Sequence, residues 1–339
     1  MNPLRLLARL DRYLLAILAT VATAFIVPAS GSAGTFFTDL SQAAIALLFF
    51  LYGVRLSAQA TLEGMRNWRV HAAVLIATFV LFPVLGLASR LLEPSVLPPS
   101  LYTGVMFLCL LPSTVQTSIA FTSIARGNVP AAICSASLSN LLGVIATPAL
   151  AILFLGSTAS FSAGSALRII AQLVVPFALG QLARPRLGKF LDRNQRPISV
   201  IDRGSVLLIV YSAFSAGVAA GIWRHITALQ LAAVLAVDAT ILAIVLAVTS
   251  YASRRLALDT ADRIVVIFCG SKKSIATGIP LAAVLFARRD VSLIVLPAML
   301  FHQLQLLVCA VLARRFAQRD DVPPIPAQAT AGPTHPIRA

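Results

Sequence analysis

Two adjacent lysines, Lys272 and Lys273, lie in an apolar stretch, residues 264–287, that is long enough to cross a membrane. Each ionised lysine at the centre of a membrane helix costs roughly 2.5–3.5 kcal/mol on insertion scales. Small residues and a proline around them loosen a helix, and charge on a broken helix is typical of a transport pathway. We therefore predict a substrate or ion site at Ser271, Lys272, Lys273 and Ser274.

Geometry limits how both lysines could share one site. Consecutive residues differ by about 100° around a helix, so Lys272 and Lys273 face one cavity only if the segment is unwound. Two simpler interpretations remain open. One lysine could extend to a membrane surface, or the helix could begin later and leave both at an interface.

A second polar, proline-interrupted stretch, Pro112–Ala120, repeats these features earlier in the chain. The tripeptide Ser-Ile-Ala occurs in both stretches, at 118–120 and 274–276. Unwound membrane helices expose backbone dipoles that bind ions and substrates. The candidate ligands in this second stretch are Thr114, Gln116, Thr117 and Ser118.

Four further polar residues lie within apolar runs. Asp238 is a lone carboxylate near the middle of its run, so it needs a partner or a proton. We expect an ion pair with Lys272 or Lys273. This pair would either relay protons or only lock the helices together. His302 and Gln303 follow Pro297, and His302 either titrates or bonds a neighbouring helix. Asn140 completes the candidate set.

Composition defines the class of protein to which these residues belong. Of 339 residues, 58% are hydrophobic and 12% are charged, whereas soluble domains carry about 25% charged residues. The chain is therefore predicted to be a polytopic membrane protein. The net charge is +15, and the lysines and arginines lie in short clusters between apolar runs. This pattern indicates cytoplasmic loops rather than nucleic-acid binding. The four cysteines lack metal-ligand spacing, and no cofactor or metal is expected.

Ten apolar runs have about the length that crosses a bilayer. We number them as predicted spans 1–10: 13–28, 39–57, 68–91, 101–125, 128–155, 164–183, 205–222, 226–250, 264–287 and 291–316. The first run could instead be a cleaved signal peptide. With the N-terminus inside, 20 arginines and lysines fall in inside segments and 5 in outside segments. This asymmetry predicts that both termini are cytoplasmic, in the inner membrane of a bacterium.

The most basic connection, residues 184–204, lies near the middle of the chain and is interpreted as a cytoplasmic linker. Residues 1–183 then hold the first five-span repeat plus span 6, and residues 205–316 hold spans 7–10. Five is an odd number, so the second repeat must be inverted relative to the first. The expected fold is all-α, with ten transmembrane helices in two inverted five-helix repeats. The tail, 317–339, is rich in proline and alanine and is expected to be disordered.

The run Pro112–Ser118, the loop 125–129 and the stretch 138–142 together resemble spans 4 and 5 of the bile acid:sodium symporter superfamily. Gly-Ser-Lys-Lys-Ser at 270–274 is similar to its SBF-like branch. The resemblance implies a core of spans 3–5 and 8–10, residues 68–155 and 226–316, in which spans 4 and 9 cross as broken helices. A panel of spans 1, 2, 6 and 7 moves against this core.

One departure from the family bears on ion coupling. Sodium-coupled members carry roughly Glu-x-Gly-x-Gln-Asn in span 9, and alignment on Gly270 places Phe268 at the Glu position and Lys272-Lys273 at the Gln-Asn positions. An ammonium supplies no oxygen ligand for sodium. We hypothesise that a lysine ammonium stands where sodium would bind, and the coupling ion is left open between H⁺ and Na⁺.

The resemblance implies a secondary active transporter of a small organic anion. Motifs for nucleotide binding or hydrolytic catalysis are absent from the sequence, so the protein is not expected to be an enzyme. A membrane-embedded regulator or sensor without net transport is the alternative.

Overall fold

A computed structural model describes residues 12–55, 67–93, 96–159, 163–221, 223, 226–286 and 290–318. Throughout these ranges the regular elements are helical and no strand occurs. The predicted disordered tail lies outside the described residues from 319 onward.

Twelve helices can be named within these ranges. Their bounds are α1 Arg12–Ile26, α2 Gly31–Arg55, α3 Trp68–Leu92, α4 Pro99–Leu110, α5 Val115–Ile124, α6 Val129–Ala159, α7 Ala163–Arg193, α8 Gln195–Ala219, α9 Ala228–Arg255, α10 Thr260–Gly270, α11 Ile275–Leu285 and α12 Val291–Ala317. Each helix overlaps one predicted span. Predicted spans 4 and 9 are each represented by two helices, so the prediction that both are interrupted is confirmed.

Seven helical segments among the described residues are long and apolar enough to cross a membrane, and the α10–α11 pair counts as one of them. The α4–α5 pair is bent by 62° and makes an eighth if it crosses as one span. The chain is therefore an all-helical, multi-pass membrane protein. Its arrangement as ten crossings in two inverted repeats stays a prediction.

The helices pack in two groups. Helix α2 lies along α7 and α8, and α8 also packs on α1. Helices α3–α6 and α9–α12 pack among themselves and surround the two breaks. Large apolar residues fill the interior of this second group, including Phe82, Phe107 and Phe301.

The first helix is part of this bundle. The Phe25 ring lies 5.2 Å from the Trp223 ring, and the Tyr211 hydroxyl donates to the Val27 carbonyl over 2.8 Å. These contacts agree with the interpretation of residues 13–28 as a membrane span.

The predicted linker 184–204 is helical. Helix α7 continues to Arg193 and α8 begins at Gln195, so only Asn194 separates them. An ion pair of 2.9 Å between Arg55 and Asp202 joins this region to the end of α2.

Candidate functional site

The first break separates α4 from α5 and follows from Pro112. A proline disfavours helical geometry in the residue before it, and Leu111 is extended with ψ 151°. Proline also lacks the N–H that would continue the helix. Thr114 is extended in turn, with ψ 130°, and α5 starts at the next residue.

The second break separates α10 from α11 at residues 271–274. Ser274 is extended, and its hydroxyl accepts a hydrogen bond from the backbone N–H of Thr277. Serine in this position satisfies one of the N–H groups that the first turn of a helix leaves unpaired. Ser271 bonds back to the Ile267 carbonyl through its hydroxyl, at 2.6 Å, and closes the end of α10.

The two breaks lie against each other and are joined by hydrogen bonds. The Ser274 N–H donates to the Pro112 carbonyl over 2.9 Å. The hydroxyls of Ser113 and Thr114 donate to the carbonyls of Cys269 and Lys273, over 2.6 and 3.1 Å. The predicted meeting of the two polar stretches is therefore present in the structure.

Side chains from α6 and α12 bind the unwound backbone in parallel ways. The N–H of Ser113 donates to the Ser139 hydroxyl, and its carbonyl accepts from the Asn140 amide over 2.6 Å. The N–H and carbonyl of Lys273 both bond the Gln305 side chain, over 2.9 and 3.1 Å. One residue in each break thus receives substitutes for the hydrogen bonds that a helix would supply.

The Lys273 ammonium is buried and fully hydrogen-bonded. Its three N–H groups donate to the carbonyls of Thr78, Cys109 and Leu111, over 2.9, 2.8 and 2.6 Å. Its nitrogen also lies 4.0 Å from the centre of the Phe82 ring. The Cys109 carbonyl belongs to the last turn of α4, where the helix dipole is negative, and Leu111 directly follows that helix. The ammonium therefore acts as a cation that closes the end of a broken helix.

The third carbonyl is available because of a local irregularity in α3. Residues Ala77–Leu81 form a π-helical turn, in which the Phe82 N–H bonds the Ala77 carbonyl. The residue five positions after Thr78 is Pro83, which has no N–H. The Thr78 carbonyl consequently lacks a helical donor and accepts from Lys273 instead. π-turns of this kind are frequent at functional sites.

Lys272 points away from Lys273 and has a different environment. Its ammonium lies 3.9 Å from the centre of the Phe121 ring, and no oxygen among the described residues accepts a hydrogen bond from it. The thiols of Cys269 and Cys309, which are weak acceptors, lie nearby. Neither lysine extends to a surface, since both are buried. The break lets adjacent side chains enter separate environments within the protein interior.

The expected ion pair of Asp238 with either lysine is wrong. Asp238 is completely buried, and neither of its carboxyl oxygens has a hydrogen-bond partner in the described part of the chain. The carbonyls of Thr78, Cys109 and Leu111 already take every donor of Lys273, and the Lys272 ammonium faces Phe121.

The remaining candidates divide into those at the breaks and those outside them. Ser118 donates to the Phe268 carbonyl over 3.4 Å, and His302 bonds Gln305 over 2.8 Å, so both support the crossing. Gln116 is exposed and Gln303 is half-buried. The Thr117 hydroxyl is buried without a partner among the residues described.

Several residues at the crossing were not in the predicted set. Thr277 donates to the Asn140 side-chain oxygen over 3.2 Å, Ser139 and Gln305 bind unwound backbone, and the Ser113 hydroxyl donates to the Cys269 carbonyl at the end of α10. Gln305 has a signal in the sequence: it lies three residues after His302 in an apolar helix, so the two side chains share a face.

The fold and this crossing define a class of protein. Helices that break in mid-membrane, with their unwound backbone satisfied by side chains and by a buried cation, are characteristic of secondary transporters. Within the described residues, no three histidine, cysteine or acidic side chains form a group that could hold a metal ion.

Comparison with known proteins gives the family. Residues 11–318 match the model of the SBF-like CPA transporter family, and the chain belongs to this family. An uncharacterised protein of Pseudomonas aeruginosa, PA2026, is 50% identical over 92% of this chain and 94% of its own length. YfeH of Escherichia coli is 45% identical over 94% of this chain and 96% of its own length. Mouse sodium/bile acid cotransporter 7 is 28% identical over 90% of this chain and 92% of its own length.

This membership confirms the resemblance inferred from the sequence. It also confirms that the protein is a membrane transporter by family rather than an enzyme, because the members are transporters.

Proposed function

We propose that this protein moves a small organic anion across the bacterial inner membrane by alternating access, with its binding site beside the crossing of the two breaks. The observation that carries this proposal is the Lys273 ammonium, which binds three backbone carbonyls where the broken helices meet. Unwound carbonyls of this kind coordinate sodium in other transporters. In this chain a lysine supplies the positive charge.

This substitution has a consequence for coupling. A tethered ammonium cannot leave with the solute, so it holds the crossing together without drawing on a sodium gradient. We therefore propose that transport does not require sodium at this position. The name of the mouse relative includes sodium, and the two proteins share only 28% identity.

An inverted repeat is supported by the way the two breaks correspond. Thr114 and Ser274 each precede the second half of a broken helix. Ser113 and Lys273 lie one residue earlier, and side chains from α6 and α12 bind the backbone of each. This register differs by four residues from the one that the shared Ser-Ile-Ala suggests. We propose ten crossings in two such repeats, with both termini cytoplasmic.

The solute would be bound by groups other than the lysine ammonium ions, because both are enclosed in the protein. The N-terminal ends of α5 and α11 converge at the crossing, and helix N-termini attract anions. Asn140 is half-buried there, and Gln116 is exposed on the first turn of α5. The bile acid named for the mouse relative is an organic anion, which supports this substrate class.

Alternating access would come from movement of α1, α2, α7 and α8 against the other helices. One hydrogen bond between the two groups runs from the Tyr52 hydroxyl to the Ala276 carbonyl over 3.4 Å. This contact lies next to the second break, where a moving panel would open or close the site.

The test is a thermal-stability screen of organic anions, followed by uptake of the stabilising compounds into proteoliposomes with sodium or choline outside. We expect saturable uptake in both salts. Lys273→Gln should lose uptake, since it removes the buried charge. Binding without flux for every anion, in protein that is correctly inserted, would instead indicate a regulator or sensor.

A further inference from the structure

An apolar groove runs along the outer surface between α9 and α12. Its volume is ≈ 430 Å³, within the range of about 300–1,000 Å³ for small-molecule sites. Ala239, Ala243 and Ala247 line the α9 side, and Leu304, Val308 and Leu312 line the α12 side. The small alanines leave space that larger side chains would fill.

The groove opens toward lipid rather than toward the protein interior. All three alanines are exposed, although they lie in helices that cross the membrane. On the neighbouring surface Leu307 is 50% exposed and Val311 is 54% exposed. Apolar side chains exposed at this depth contact hydrocarbon chains of the bilayer.

The length of the groove corresponds to one leaflet. From Ala239 to Ser250 the helix rises about 16 Å at 1.5 Å per residue. A bilayer's hydrocarbon core is about 30 Å thick, so one leaflet is about 15 Å. Ala239 lies near the middle of α9, and Ser250 lies near its C-terminal end.

Two arginines continue the groove at that end. Arg254 lies four residues after Ser250, and Arg315 lies three residues after Leu312, so each is on the same helix face as the groove. Both arginines are exposed. Arg255 follows Arg254 in the sequence and Arg314 precedes Arg315, but each is on another face of its helix. Arg255 donates to the Tyr251 hydroxyl over 2.8 Å.

We propose that this groove binds an anionic diacyl phospholipid, with an acyl chain against the alanines and the phosphate between Arg254 and Arg315. Basic residues between membrane helices bind anionic headgroups, and a guanidinium matches the geometry of a phosphate. An apolar groove of leaflet length that ends in two cations complements both parts of such a lipid. Binding of this lipid would not depend on which solute the protein transports.

The test compares two double variants of the full-length protein in lipid-free detergent. Arg254→Ala with Arg315→Ala removes the phosphate site, and Arg255→Ala with Arg314→Ala removes the same charge from the same helices. We expect phosphatidylglycerol to bind wild type and the control pair equally, and the first pair about 30-fold more weakly. Ala243→Trp, which fills the groove, should weaken binding with all arginines present.

Binding is measured by thermal stabilisation and by lipid retained in native mass spectrometry. Phosphatidylcholine and inorganic phosphate are the comparison ligands, and neither should match phosphatidylglycerol. Equal losses in the two arginine pairs would show a general charge effect and overturn the proposal. Equal stabilisation by phosphatidylcholine or by phosphate alone would also overturn it, as would unchanged lipid binding in Ala243→Trp.

Discussion

At the scale of single residues, the two adjacent lysines have opposite environments. Lys273 donates to three carbonyls, whereas Lys272 has no oxygen acceptor in the described structure and lies over the Phe121 ring, beside the Cys309 thiol. Removing a hydrogen-bond donor from buried acceptors costs roughly 1–3 kcal/mol for each acceptor left unpaired. The Lys272 ammonium is buried against an aromatic ring and weakly accepting thiols, so removing it relieves a desolvation cost.

We therefore predict that Lys273→Met lowers the free energy of unfolding by about 3 kcal/mol or more, because it leaves three acceptors unpaired. Lys272→Met should be neutral or stabilising, because methionine fits the apolar surroundings. Thermal unfolding of both variants in detergent makes the comparison. Equal destabilisation by the two substitutions would contradict these assignments.

Asp238 gives a second prediction at this scale. Its carboxyl group is buried with no partner among the described residues, so Asp238→Leu should raise thermal stability, by about 1–3 kcal/mol in the free energy of unfolding. Transport by this variant shows whether the carboxyl group has a role in function. Strong destabilisation would instead reveal a partner that this conformation lacks. Asp238→Asn is a suitable control, since asparagine keeps the shape and most of the polarity of the aspartate side chain.

At the scale of elements, close backbone approach holds α2 against α7. A Cβ atom added at Gly180 would lie 2.1 Å from the Phe50 carbonyl oxygen, and one added at Gly53 would lie 2.1 Å from the Phe177 carbonyl oxygen. Small residues at such crossings permit helix packing in membranes. The atoms that an added Cβ would meet belong to the backbone of the facing helix, which cannot move aside as the end of a flexible side chain could.

Gly180→Ala should therefore destabilise the protein by about 1–3 kcal/mol, the usual cost of overpacking. Gly188, on the same helix, is the control. Its added Cβ atom would meet only a side-chain atom of Arg184 at 3.5 Å. Gly188→Ala should be neutral or should stabilise by about 0.5–1 kcal/mol, because alanine favours a helix. Thermal unfolding would contradict this account if both variants behaved alike.

The sequence predicted the interrupted helices, because proline and clustered polar residues act locally. It did not predict which atoms satisfy the unwound backbone. The Thr78 carbonyl is available only because a π-turn and Pro83 coincide in α3, on a different part of the chain. The pairing expected for Asp238 failed because depth in a membrane does not specify which helix face meets which.

At the scale of the whole molecule, the arginine distribution predicts which ends of the helices face the cytoplasm. The native cysteines, Cys109, Cys134, Cys269 and Cys309, are all buried, so an introduced exposed cysteine can be labelled selectively. Arg196 and Asp290 are both exposed, and the predicted topology places Arg196 in the cytoplasmic connection and Asp290 in an outside loop. In intact cells, a membrane-impermeant maleimide should label Asp290→Cys but not Arg196→Cys.

The labelling has two controls. Both variants should react after the cells are lysed, and wild type should remain unlabelled. Labelling of Arg196→Cys in intact cells, with protection of Asp290→Cys, would reverse the proposed orientation.

The central claim is that the Lys273 ammonium takes the place of a bound sodium ion. Its most direct test is the thermal stability of wild type, Lys273→Ala and Lys272→Ala in sodium chloride and in choline chloride. For wild type, and likewise for Lys272→Ala, the unfolding temperature in sodium chloride should equal that in choline chloride. Lys273→Ala should be less stable in choline and should be partly restored by sodium, because the Thr78, Cys109 and Leu111 carbonyls then surround a space that sodium can enter. A sodium-dependent wild type, or a Lys273→Ala variant that does not respond to sodium, would contradict the claim.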